Sequence, residues 1–353
     1  MAVKTKTTSL MNQPVLGITM GDVAGIGPEI VVKALQNPEI RRAAKYIVFG
    51  MHEQLSLVAD RLEVDPFWRR VQHEKISRDY PSKVLLADYD DFCLPPRVTG
   101  SSRVGGESSL QFCLDAIFAA KHGIIDGIVT GPISKTSWTM AKIKWPGHTE
   151  LFAEKCKSPR KAMMIVSPPL KLALAVIHEG LFDVRHKFTI GRVFEPIDLL
   201  NTALQEYFDI EQPRIGVAAL NPHAGENGQF GDEEQRIISP AILLAQEQGI
   251  LCEGPYSADT LFLRTVRGEF DAAVAMHYDQ GMIPVKLLAP DDAVNITIGV
   301  PIIRTSPCHG TAFDIVGKNL ADPSSMKASI KTAIHMVRSR RSLLRRAHAK
   351  VSS

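Results

Sequence analysis

Residues 171–178, KLALAVIH, residues 214–223, RIGVAALNPH, and residues 270–277, FDAAVAMH, share one pattern: an apolar run that stops at a histidine. Each run reads as a strand. Working outward, further short apolar runs fall at 15–20, 46–50, 123–130 and 162–166. Longer helical stretches separate them at 28–36, 109–122, 189–206, 233–248 and 324–346. This alternation predicts an α/β fold with a largely parallel sheet covered on both faces. In such sheets ligands bind beyond the carboxyl ends of the strands. His178, His223 and His277 stand at three such ends, and imidazole is the commonest neutral ligand for divalent transition metals. A three-histidine site would leave coordination positions open for water or substrate. The irregular spacing proves no motif, and a lone histidine is more often a hydrogen-bonded loop or core residue.

Composition narrows the class. The chain has 353 residues, enough for about two domains. It is 45% hydrophobic and 22% charged, as expected of a packed globular protein. A net charge of +3 argues for neither a nucleic-acid nor a membrane partner. No apolar run approaches the roughly 18 residues of a membrane span. The first residues carry no apolar segment of the secretory type and are expected to form a loose tail up to about Gln13. Five cysteines, Cys93, Cys113, Cys156, Cys252 and Cys308, are scattered and odd in number. That argues against a disulfide framework and fits a reducing cytoplasm. The basic end, VRSRRSLLRRAHAKVSS, is either an anion-binding tail or a solvated helix end whose cations suit the helix dipole.

Other segments suggest a small-molecule site. Residues 20–29, MGDVAGIGPE, join a strand to a helix, with Pro28 suited to a first helical position. A Rossmann fingerprint fails, because Ile30 stands where the third glycine belongs. The loop serves either as a tight turn or as an anion cradle at a helix start. Lys286, Asn295 and Arg304 interrupt apolar surroundings after the third histidine. A buried lysine or arginine needs an anionic partner, which a phosphate and a carboxylate would supply, whereas a long cation at the surface needs none. Gly147-His148-Thr149-Glu150 opens a helix and offers polar groups to an anion or a simple cap. Asp259 is either a first-turn helix carboxylate or a catalytic acid or base. Asn221-Pro222 before His223 and Tyr278-Asp279-Gln280-Gly281 after His277 add polar groups at strand exits.

The motifs GDVAGIGPE, TGPISK, GHTELFAE, LNPHAGENGQFGDEE, GPYSADTLF, DQG, VNITIGVPIIRTS and HGTAFD occur in this order. On them the chain, from about residue 15 to 333, resembles the 4-hydroxythreonine-4-phosphate dehydrogenase family of vitamin B6 biosynthesis, with its relatives acting on phosphorylated sugar acids. The resemblance implies a two-domain fold similar to isocitrate and isopropylmalate dehydrogenases, with mostly parallel sheets and an interdomain cleft. The expected domains are 13–132 with 305–353, and 133–304 carrying the metal histidines. It implies a cytoplasmic homodimer with the active site near the interface, NAD or NADP, and one zinc, magnesium or cobalt ion per site. The implied reaction is oxidation and decarboxylation of 4-phosphooxy-threonine to 3-amino-2-oxopropyl phosphate.

By motif, His178 and His223 match metal ligands. His148, Thr149, Lys286, Asn295 and Arg304 match substrate-binding residues, Lys286 also assisting catalysis. Asp259 matches the acid of the ADTLF motif. The third ligand departs from the pattern: the family reads Tyr-His-Asp-Gln-Gly, this chain His277-Tyr278-Asp279-Gln280-Gly281. Neighbouring strand residues face opposite ways, so either the backbone turns to bring His277 in or Tyr278 takes its place. The preference for imidazole favours His277. Val23 replaces a usual proline, and Cys308 a usual aspartate. Alternatives are a 4-phospho-threonate or erythronate dehydrogenase, a dehydrogenase of a dihydrodiol dicarboxylate, a three-histidine hydrolase or lyase, and a non-catalytic metal- or anion-binding protein.

Overall fold

The computed structural model describes residues 13–94 and 98–351. The expected N-terminal tail lies outside the described residues. The described strands are β1 (Val15–Thr19), β2 (Lys45–Gly50), β3 (Arg69–Gln72), β4 (Val84–Asp88), β5 (Gly127–Thr130), β6 (Ala162–Ser167), β7 (Leu170–Leu174), β8 (Ile215–Ala218), β9 (Cys252–Tyr256), β10 (Ala272–Ala275), β11 (Val294–Ile298) and β12 (Ile303–Pro307). The helices that matter for the site are α1 (Gly27–Gln36), α2 (Arg103–Lys121), α3 (Lys135–Met140), α4 (His148–Lys155), α5 (Ile190–Phe208), α6 (Ala258–Val266), α7 (Tyr278–Leu288) and α8 (Ser324–Val351). The expected α/β fold with mostly parallel strands is the one found.

The first compact unit runs to Cys156 and includes Ile302–Arg338. Its strands lie in the order β3-β4-β2-β1-β5-β12, every pair parallel. β1, β4, β5 and β12 are buried along their whole length, as a parallel sheet covered on both faces requires. The glycine-rich stretch 21–30 is buried throughout. A Cβ on Gly21, which has φ +80°, would collide with the Pro132 carbonyl, and one on Gly27 with the Met20 carbonyl. These glycines let backbones close on one another, so the stretch is a packed turn. Helix α2 starts earlier than residue 109 because Ser102 caps it: its Oγ accepts the Gly105 N–H at 3.0 Å.

The second unit spans Lys157–Pro301 and the chain from Ser339. Its order is β11-β6-β7-β10-β8-β9. β6 is antiparallel to both neighbours, and β7, β10, β8 and β9 run parallel. Among the described residues no helix is long and apolar enough to cross a membrane.

These units divide at other places than the expected 132/133 and 304/305. Residues 133–156 pack with the first unit, because Ser137 and Trp138 of α3 hydrogen-bond Asp22 and Ser109 at 2.6 and 3.0 Å. Arg304 lies within β12, which pairs with β5. The end of α8 belongs to the second unit, where Ser339 and Arg346 bond Asp209 and Arg340 meets Glu206 at 2.7 Å. The basic end is thus in part a set of ion pairs along α5.

Candidate active site

In the first unit the crossover from β5 back to β12 brings Thr130, His148 and Arg304 together. Arg304 is 2% exposed. Its Nε and Nη2 donate to Thr130 Oγ1 at 3.1 and 2.7 Å, and its Nη2 lies 3.1 Å from His148 Nδ1. Its guanidinium carbon sits 5.9 Å from the centre of the Phe152 ring. Burial pulls the guanidinium down to about 10, against the opposing pull of Cys113, Cys308 and Glu150. It stays cationic at neutral pH. Burial, and then the Arg304 charge, hold the His148 imidazole well below its ordinary value, so the ring is neutral. Its Nε2 is buried without a hydrogen-bond partner among the described residues. Buried polar atoms in folded proteins are nearly always paired, so this Nε2 leaves a hydrogen-bonding position open beside a buried cation. Thr149 is buried beside it, and Gly147 rather than Thr149 is the N-cap of α4.

In the second unit β7, β10 and β8 are adjacent and parallel. His178, His223 and His277 follow their carboxyl ends, so the topology puts the three histidines on one edge of one sheet. The main chain carries the β7–β10 pairing further, with Val176 N–H bonded to Met276 O at 3.1 Å. His178 and His223 are exposed and left-handed, at φ 50° and 52°. His277 is extended at the N-cap of α7, half-buried, and its imidazole is lowered by burial against the pull of Asp279. The chain turns into helix at Tyr278, whose ring lies 6.0 Å from the His178 ring. Among the described residues no three His, Cys, Asp or Glu side chains gather closely enough to hold one metal ion. The three histidines share one edge of the sheet.

The remaining expected residues differ in setting. Asn295 Oδ1 on β11 is buried without a hydrogen-bond partner among the described residues. Lys286 is exposed, its Nζ 3.4 Å from Pro290 O. Asp259 is exposed in the first turn of α6, where its charge suits the positive end of the helix. Two residues at the strand exits have roles that the sequence did not assign. Gln280 accepts the Met276 N–H at 2.6 Å and donates to Ala219 O at 2.8 Å, tying the β10 exit to the β8 exit. Glu234, 3% exposed, accepts the N–H groups of Leu220 and Asn221 at 2.9 and 2.8 Å, just before His223. The signal available for Glu234 was only its place in the GDEE run.

Fold and site together define an α/β protein with a buried arginine–histidine corner in one unit and three strand-end histidines in the other. The model of the family "Pyridoxal phosphate biosynthetic protein PdxA" matches residues 42–333, and the chain belongs to that family. It is 41% identical to 4-hydroxythreonine-4-phosphate dehydrogenase of Geobacter metallireducens, over 92% of this chain and 96% of that one. It is also 41% identical to D-threonate 4-phosphate dehydrogenase of Cupriavidus necator, over 90% and 96%. The crystal structure of 4-hydroxythreonine-4-phosphate dehydrogenase from Klebsiella pneumoniae superposes with a TM-score of 0.82 at 34% identity, covering 92% of this chain and 98% of that one. These relatives are named dehydrogenases, oxidoreductases acting on a CH–OH group, and the chain is a member of that class.

Proposed function

We propose that the chain oxidises and decarboxylates 4-phosphooxy-threonine with NAD, releasing 3-amino-2-oxopropyl phosphate for pyridoxal phosphate synthesis. The carrying observation is the corner where cationic Arg304 and the unpartnered Nε2 of His148 meet. It supports recognition of an oxyanion by two donors on rigid elements. Hydride leaves C3 for the nicotinamide as the C3 hydroxyl loses its proton. The resulting β-keto acid releases CO₂, and C2 takes up a proton. One substrate and one NAD⁺ thus give product, CO₂ and NADH.

Roles are proposed unit by unit. In the first, Arg304, His148 and Thr149 bind anionic oxygens. In the second, Lys286 and Asn295 contact substrate, with exposed Lys286 the candidate for moving the C2 proton and Asp259 a further acid–base candidate. His178, His223 and His277 are the proposed ligands of a zinc, magnesium or cobalt ion, supported by their common sheet edge. A cytoplasmic homodimer is part of the proposal. It is supported by five cysteines outside any disulfide and by exposed apolar side chains on the segments that follow His178 and His277, Phe182 at 92% and Leu287 at 80%.

The second reading is a threonate 4-phosphate dehydrogenase, favoured by the equal identity to the Cupriavidus necator enzyme. The test is NADH absorbance with metal-supplemented protein, NAD and each phosphorylated acid in turn. Reduction with 4-phosphooxy-threonine is the expected result. Reduction only with the threonate phosphate transfers the assignment to the second reading, and none with either sinks both.

A further inference from the structure

We infer that His148 is a fixed hydrogen-bond donor, held by Arg304 as the neutral Nε2–H tautomer and aimed at an oxyanion oxygen. A guanidinium has donors and no acceptor. The 3.1 Å contact between Arg304 Nη2 and His148 Nδ1 therefore requires the lone pair on Nδ1. The hydrogen bond at one imidazole nitrogen decides where the proton sits, so the neutral ring carries it on Nε2. That is the atom buried without a partner among the described residues. Protonating Nδ1 would set two donors against each other beside a cation.

The ring has little freedom to escape. Trp138 meets it edge-on at 5.9 Å and Phe152 at 6.3 Å, with interplanar angles of 75° and 79°. Trp138 is itself 1% exposed and tied by its Nε1–H to Ser109 Oγ at 3.0 Å. Besides Arg304 on β12, the titratable groups about this corner are Glu150 on α4, Cys113 on α2 and Cys308 just past β12, each acting electrostatically on Arg304. His148 is thus a donor and neither a base nor an acid in the neutral range. That the oxyanion belongs to the substrate rests on the proposed function; the tautomer does not.

The experiment is imidazole ¹⁵N NMR on the full chain with labelled histidine, the His148 signal being the one lost in His148→Gln. The expected spectrum is a neutral Nε2–H ring that does not titrate across about pH 5 to 8, with Nε2 shifting on addition of inorganic phosphate. An Nδ1–H ring, or an imidazolium forming in that range, overturns the tautomer. An Nε2 signal unmoved by saturating phosphate overturns the donor role. In Arg304→Met the ring is expected to gain the Nδ1–H tautomer, with Arg304→Leu as a second variant if the first does not fold. A ring that stays wholly Nε2–H in a folded variant overturns Arg304 as the lock. Failure of the dehydrogenase reading is seen separately, as absence of NADH while this spectrum stands.

Discussion

Glu234 grips Asn221 twice: one carboxylate oxygen accepts its backbone N–H at 2.8 Å and the other accepts its side-chain amide at 3.0 Å. The turn that follows is left-handed from His223 through Gly228. Three of its residues, His223, Ala224 and Glu226, carry side chains that resist that conformation, at roughly 1–2 kcal/mol each in a left-handed helix, whereas Asn227 tolerates it. A buried carboxylate at the base of the turn offsets part of that strain. Glu234→Gln replaces one acceptor oxygen by a donor and is expected to lower stability by about 1–3 kcal/mol in urea unfolding. Ala224→Gly should raise stability slightly, by at most about 1 kcal/mol. A destabilised Ala224→Gly protein would show that the turn is not strained.

Asp22 makes a pH prediction. Its carboxyl is fully buried, accepts from Ser137 Oγ at 2.6 Å and from Ala24 N–H at 3.1 Å, and is raised above the ordinary 3.8, mainly by burial. The folded chain then holds this proton more tightly than the unfolded chain. Its contribution is complete below the ordinary carboxylate value and is lost as pH rises through the raised one. Asp22→Asn should flatten that part of the stability–pH curve, and an unchanged slope would remove Asp22 as its source. A Cβ at position 105 would strike this carboxylate, so Gly105→Ala is expected to cost about 1–3 kcal/mol.

His148 titrates in the opposite sense. Its folded value lies below 6.5, so the stability it contributes is present above that value and is lost as pH falls below it. In His148→Gln the drop in urea midpoint between neutral and mildly acidic buffer should shrink. His277, lowered in the same direction, should keep a residual drop.

Arg304 is predicted to separate stability from activity. A buried cation costs several kcal/mol to desolvate, which its hydrogen bonds to the neutral Thr130 and His148, at about 1.5–3 kcal/mol each, only partly offset. Arg304→Met should therefore unfold at a similar or higher urea concentration. It should lose substrate affinity about tenfold to a hundredfold, as expected for a charged hydrogen bond of roughly 1.5–3 kcal/mol. A variant that binds substrate normally would refute the anion corner.

The swapped pair His277 and Tyr278 can be separated by metal analysis of the purified protein. Under the proposed function His277→Ala should lose bound metal and Tyr278→Phe should retain it, because a phenol with a pKa near 10 is a poorer neutral-pH ligand. The reverse pattern would assign the ligand to Tyr278, whose ring already lies near His178.

The sequence by itself determined the α/β class and the strands that end before the three histidines. A strand buried on both faces must be apolar along its length, and that local pattern is readable without partners. It also flagged Arg304 and His148 separately, as polar residues in unexpected places. Only the tertiary structure decided that they touch. They are 156 positions apart, and crossovers in a parallel sheet, rather than spacing, bring such residues together. The same reason hid the roles of Glu234, which holds Leu220 and Asn221, and of Gln280, which reaches Ala219 O. Unit boundaries were set by packing too: Ser137 and Trp138 draw α3 onto the first unit through bonds that no periodicity encodes.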